Sequence, residues 1–157
     1  MGLSKTFDMK DLGDAISHLG MRIIRDRNQK LLYLSHKEYI GKVFQHFNME
    51  QGKILGTPLP PYVKLSQKDS PQSDDERAEI AKIPYASAIG SLMYAMLCTR
   101  PDIYYSVGVA SRFQSDPGLQ LWTAVKSILK YLRRTRNYML VYSGSDLKLT
   151  GYTDSDF

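Results

Sequence analysis

Cysteine is nearly missing from this chain: Cys98 is the one thiol in 157 residues. That excludes an intramolecular disulfide framework and any cysteine-rich zinc site. Histidine is scarce too. His18, His36 and His46 are the three. They lack ligand spacing and a matching acid, so no metal site is expected from them. Capping and surface roles suit the histidines better, and Cys98 suits the core. No apolar run approaches the ~18–20 residues that a bilayer-spanning helix needs. The N-terminus lacks the basic-then-apolar pattern of a signal peptide, so no membrane partner is expected. Phosphate-binding glycine loops, nucleophile elbows and zinc motifs are absent from the sequence. Met1-Gly-Leu-Ser-Lys-Thr6 fits the N-myristoylation pattern. That pattern is permissive, and no strong polybasic signal stands beside it.

What is present is ordinary for a globular chain. Apolar residues make up 43%, charged residues 24% and aromatics 11%. The length fits one domain or pieces of two. The cations exceed the acids by 21 − 16 = 5.

Met21-Arg-Ile-Ile-Arg-Asp26 and Leu31-Leu-Tyr-Leu-Ser35 are β-prone runs around a polar turn, which predicts a hairpin. Ser35-His-Lys-Glu38 reads as a capping box. Behind it Tyr39, Ile40, Val43, Phe44 and Phe47 predict an amphipathic helix over roughly 36–48. Residues 49–72 hold Pro58, Pro60, Pro61 and Pro71, four of the seven prolines. Fixed φ and missing donors there predict a surface strap or an inter-subdomain linker. Ser73-Asp-Asp-Glu76 is a second capping-box pattern, opening a short helix to about Lys82.

Three further helices are expected. Tyr85, Ile89, Leu92, Met93, Met96 and Leu97 form one apolar face. Pro101 suits the first turn of the next helix, with Ile103, Val107 and Ala110 on its core stripe. The last runs over 119–136 with Leu121, Val125, Ile128 and Leu132 inward. Residues 138–142 and 147–153 read as two strands of a C-terminal hairpin. The fold class is α+β with a helical middle.

The clearest charge feature is the last helix. Lys126, Lys130, Arg133, Arg134 and Arg136 face no Asp or Glu between 119 and 137. Lys126, Lys130 and Arg133 fall at i, i+4, i+7, opposite the apolar stripe. A one-sided cationic helix suits a phosphate backbone through counterion release; a solvated face is the plain alternative. Arg22, Arg25, Arg27 and Lys30 cluster on the first hairpin, where charge protects an exposed edge. Asp154 and Asp156 end a strand. Two positions apart, they point to opposite faces, so at most one enters a site.

The sequence words resemble the reverse transcriptase region of copia-type retrotransposon Pol polyproteins, plant elements above all. Phe7-Asp-Met-Lys-Asp-Leu-Gly13, Leu19-Gly-Met-Arg-Ile-Ile24 and Leu34-Ser-His-Lys-Glu-Tyr-Ile40 carry the likeness, with Phe47-Asn-Met49 and Thr57-Pro-Leu59. The strongest stretch is Pro84-Tyr-Ala-Ser-Ala-Ile-Gly-Ser-Leu-Met-Tyr94, continuing to Thr99-Arg-Pro-Asp-Ile103. Ser111-Arg-Phe113, Trp122, Ile128-Leu-Lys-Tyr-Leu132 and Gly151-Tyr-Thr-Asp-Ser-Asp156 follow in order.

The resemblance implies a division into 1–35 (end of the polymerase palm), 36–136 (thumb and connection) and 137–157 (start of a ribonuclease H domain). It places Leu19, Gly20 and Met21 in the primer-grip hairpin and makes Asp154 the first metal-binding, catalytic carboxylate of the ribonuclease H. The implied partners are an RNA–DNA hybrid or primer–template and the remainder of the Pol polyprotein. Mg²⁺ is implied for the parent enzyme and no cofactor for this chain, with an intracellular setting in a cytoplasmic virus-like particle. The family's Tyr-x-Asp-Asp polymerase turn does not occur in the sequence, and the chain ends three positions after Asp154. Phosphoryl transfer depends on placed metals and carboxylates, so this chain alone is expected to be inactive. A decayed transposon remnant, or a small helical protein-interaction module, is the alternative expectation.

Overall fold

The computed structural model describes residues 7–10 and 13–144. Strands β1 (Ser17–His18), β2 (Met21–Asp26) and β3 (Leu31–Ser35) come first. Helices α1 (Lys37–His46), α2 (Asp74–Ile80), α3 (Tyr85–Cys98), α4 (Tyr104–Ser111) and α5 (Leu119–Arg134) follow, and β4 (Leu140–Ser143) comes last. The strands form one antiparallel sheet in the order β1-β2-β3-β4. The N-terminal hairpin is as expected, with Ile24 opposite Tyr33 and Arg25 opposite Leu32. Strand β4 pairs with β3, placing Tyr33 opposite Val141. The expected hairpin partner, 147–153, lies outside the described residues.

The core lies in the helices, and no strand residue is buried. On α5 the stripe Leu121, Val125, Ile128 and Leu132 is at most 1% exposed. Each such side chain contributes roughly 1.5–3 kcal/mol of transfer free energy. The stripe packs against Ile40 and Phe44 of α1, Ile89 and Leu92 of α3, and Val107 of α4. Two tyrosine hydroxyls add specific ties. Tyr39 donates to the Ser91 carbonyl at 3.1 Å. The Tyr85 hydroxyl donates to the Ala110 carbonyl at 2.9 Å, and burial pushes its pKa up to about 12.

Local expectations are corrected in four places. The Ser35–Glu38 capping box does not form. Ser35 is still paired with Arg22 in the sheet, so His36 becomes the cap residue, without a side-chain capping bond. The helix closes earlier than 48, because Asn48 takes a left-handed φ of +53°, which asparagine tolerates. At α2 half of the second box survives. Ser73 Oγ accepts from the Glu76 amide at 3.2 Å, but the Glu76 carboxylate accepts from Gln72 instead, at 2.7 Å. On α3 the apolar face is narrower than expected. Tyr85, Ile89, Leu92 and Met96 are buried, while Met93 is 37% and Leu97 74% exposed, since both sit on the flank away from α4 and α5.

His36 also departs from its expected surface role. It is 1% exposed, because the β3–α1 junction turns inward beneath α3. Cys98 is half-buried. The strap is largely irregular, as expected, but contains a short 3-10 turn, Gln67–Asp69. There Asp69 accepts from the Ser66 amide at 2.7 Å.

Candidate nucleic-acid interface

Leu19 and Gly20 make the β1–β2 turn, with φ of +47° and +77°. Glycine adopts such a φ freely, but leucine does so only when held. The hold is the Tyr94 hydroxyl of α3, which donates to the Leu19 carbonyl. Met21 starts β2 beside a cleft of about 740 Å³ whose walls include Gly20, Met21, Arg22, Arg25 and Lys37. The hairpin cations also act locally. Arg27 pairs with Asp14 at 2.6 Å, and Arg25 donates to the Ala15 carbonyl at 2.6 Å. Both bonds clamp the segment before β1 along β2, consistent with edge protection.

The five cations of the α5 region divide into two groups. Lys126 and Lys130 are partly exposed and have no ion-pair partner among the described residues. Arg133 and Arg136 are engaged within the chain, and Arg134 is exposed. Arg133 donates to the carbonyls of Met49 (3.4 Å) and Gly52 at the start of the strap. The Arg134 guanidinium lies against Gly56. Arg136 covers Gly41 and donates from Nε to the Lys37 carbonyl at 3.2 Å. That last bond ties the end of α5 to the first turn of α1, where Lys37 also borders the cleft. The structure therefore brings the Leu19–Met21 turn and the basic helix end to one side through α1. Among the described residues Lys126, Lys130 and the exposed Arg134 have no ion-pair partner. Arg133, expected to share their phosphate-facing role, holds the strap because its long stem reaches two unpaired loop carbonyls.

One polar cluster was not anticipated from the sequence. Arg100 is 2% exposed. It forks onto Asp102 at 2.9 and 2.7 Å. It also donates to Thr135 at the carbonyl (3.2 Å) and Oγ1 (2.5 Å). Tyr131 donates to Asp102 at 2.8 Å, and the rings of Tyr131 and Tyr138 lie 5.6 and 5.9 Å from the guanidinium carbon. The cluster fixes the α3–α4 junction to the end of α5, just before β4. A signal existed: Arg100 and Asp102 are the only charges between Lys82 and Arg112. A lone pair of opposite sign in an apolar stretch points to a buried partnership.

Burial alone would raise the Asp102 pKa, but bonds from Arg100 and Tyr131 and the guanidinium charge outweigh it, and the carboxyl lies below its ordinary range. A depressed folded pKa stabilises the fold above the unfolded value, near pH 4, and the contribution fades as pH falls through the folded value. Urea midpoints measured from pH 5 down to 2 should therefore drop less steeply in Asp102→Asn than in the native chain. Identical acid slopes would contradict this assignment.

Among the described residues no three His, Cys, Asp or Glu side chains converge as metal ligands. No single described helix is long and apolar enough to cross a membrane. Asp154 lies outside the described residues.

No family model matches the chain, and no solved structure does. Its relatives include transposon proteins. The retrovirus-related Pol polyprotein from transposon TNT 1-94 of Nicotiana tabacum is 54% identical over 98% of this chain and 12% of that protein. A putative transposon Ty5-1 protein of Saccharomyces cerevisiae is 35% identical over 98% of this chain and 48% of its own length. The Pol polyprotein from transposon RE1 of Arabidopsis thaliana is 33% identical over 99% of this chain and 10% of its own. Identity of this level along nearly the whole chain marks it as transposon Pol sequence. More particularly, it belongs to the retrovirus-related Pol polyproteins of copia-type transposons. The chain spans less than half the length of each of these three relatives.

Proposed function

We propose that this chain is the thumb and connection portion of a reverse transcriptase–ribonuclease H region, flanked by the palm end (1–35) and the start of the ribonuclease H (137–157). In that reading it holds primer–template by phosphate contacts and does not itself transfer nucleotides. The observation that carries it is the division of cations around the last helix: Arg133 and Arg136 hold neighbouring carbonyls, while Lys126 and Lys130, partly exposed, have no ion-pair partner among the described residues. The Leu19–Met21 turn, held against α3 and bordered by Arg22 and Lys37, is the second contact. Mg²⁺ belongs to the parent enzyme, with Asp154 as one ligand.

Each phosphate neutralised by a cation steepens the salt dependence of binding by about 0.9 in log–log slope for a duplex. Replacing Lys126 and Lys130 together by alanine should flatten the slope for an RNA–DNA hybrid by up to about 1.8. Thermal stability should stay nearly unchanged, because neither side chain holds a partner. Fluorescence anisotropy across a salt series reads the slope directly, and an unchanged slope would remove α5 from the interface. The second reading, a protein-interaction module, draws on exposed Leu97, Tyr104 and Tyr105 at 74, 66 and 74%. It predicts no measurable hybrid binding even at low salt.

A further inference from the structure

His36 occupies an unusual place. It joins β3 to α1, it is 1% exposed, and neither ring nitrogen has a hydrogen-bond partner. Its ring centroid lies 5.1 Å from that of Tyr39 on α1 and 5.3 Å from that of Tyr94 on α3. The two tyrosine rings meet edge-on at 5.0 Å. Their hydroxyls are already committed, Tyr39 to the Ser91 carbonyl and Tyr94 to the Leu19 carbonyl. This aromatic trio is the seam where the β1–β2 turn meets the helices.

We propose that His36 is a proton-operated latch: its neutral ring seats the Leu19–Gly20 turn against α3, and protonation releases that turn while the helical core stays folded. A neutral imidazole packs between tyrosines as an aromatic ring. An imidazolium brings a second N–H donor and a full charge into a buried site whose acceptor at hand is the Leu19 carbonyl, which already accepts from Tyr94. The titratable and charged groups around it are few. Tyr39 faces it from α1, and Tyr94 faces it from α3, with Cys98 beside the Tyr94 hydroxyl. From the turn comes the Leu19 backbone alone. Arg22, cross-strand from Ser35, and Lys37 and Glu38, next along the chain, are exposed. Among the described residues no carboxylate stands against the ring to welcome a proton. Burial accordingly pushes the His36 pKa below its ordinary 6.5, and the Leu19 backbone, which pulls the other way, is the lesser influence.

The sign follows from linkage. The closed form binds the proton more weakly than the open form. Closure is therefore fully favoured above the open-state pKa, near 6.5, and weakens as pH falls toward the closed-state value. Between those two values the opening constant grows up to tenfold per pH unit.

Ring-proton NMR of the full chain across pH 7.5 to 4.5 tests this. His36 should titrate below the ordinary 6.5. Over the same range amide protection factors at Leu19 and Gly20 should fall, by up to tenfold per unit, while those of Val125 and Ile128 hold. His36→Phe keeps a ring that cannot charge and should abolish the pH dependence; His36→Gln does the same if phenylalanine misfolds. Tyr94→Phe should leave the turn open at every pH. Titration of His36 at or above the ordinary 6.5 would overturn the latch. So would an acid loss of protection at Leu19 that survives both His36 substitutions.

Discussion

Arg100→Ala should destabilise the fold by about 3 kcal/mol, which for a chain of this size lowers the melting temperature by roughly 6–12 °C. The guanidinium makes four side-chain hydrogen bonds from a position 2% exposed. Removing it strands the Asp102 carboxylate, the Thr135 carbonyl and hydroxyl, and the faces of Tyr131 and Tyr138. Breaking a buried pair costs about 3–5 kcal/mol, because the remaining charge loses its partner. The lower end applies here, since the Asp102 side chain keeps 36% exposure and water screens its orphaned charge. Arg100→Lys should recover only part of the loss. An ammonium cannot fork onto two carboxylate oxygens while reaching Thr135. Arg100→Met combined with Asp102→Asn should be milder than Arg100→Met alone, because no charge is then left unpaired. Calorimetry or a thermal melt decides. A loss below 1 kcal/mol for Arg100→Ala would show that the cluster is ornamental to the fold.

The same cluster marks where sequence reasoning stopped. The stripe Leu121, Val125, Ile128 and Leu132 was legible because period 3.6 repeats over about three turns, and the structure buries all four residues. The hairpin 21–35 was legible through two β-prone runs and a polar turn. In its local sequence Asp102, next to Pro101, looks like a helix-start acid favoured by the dipole. Its actual partner is set mainly by Arg100, two residues away, together with Thr135 and Tyr131 some 30 residues on. No local pattern encodes that convergence. The arginines of α5 failed differently. Helical spacing correctly placed Arg133 near Lys126 and Lys130, but spacing cannot say that a strap 81 residues earlier offers carbonyls to it. His36 failed for a third reason. One residue's burial depends on how a junction turns, and Ser35 stayed in the sheet where a capping serine was expected.

Two glycine-to-alanine substitutions should move stability in opposite directions, and together they test the packing of the strap. Gly90 lies mid-way along α3, exposed, with nothing among the described residues within 4 Å of the position a methyl would take. Alanine there should stabilise by about 0.5–1 kcal/mol through helix propensity. Gly118 precedes α5 with φ −107° and ψ 176°, extended backbone that alanine adopts without strain. Its unfolded-state entropy would on its own favour alanine by about 0.4–1 kcal/mol. The surroundings reverse that sign. An added methyl would overlap the Asp69 carbonyl oxygen and sit 2.9 Å from its carbon. Asp69 cannot simply retreat, since its carboxylate holds the Ser66 amide at 2.7 Å and its amide bonds the Ser66 carbonyl at 3.0 Å. Forced overpacking typically costs about 1–3 kcal/mol, so Gly118→Ala should destabilise on balance. Urea unfolding of the two variants beside the native chain reads both effects. If Gly118→Ala matches or exceeds the native midpoint, the strap's 3-10 turn does not rest on the start of α5. The Pro-rich segment would then be free to leave the helical body, and the bonds from Arg133 to the Met49 and Gly52 carbonyls would be its remaining anchor.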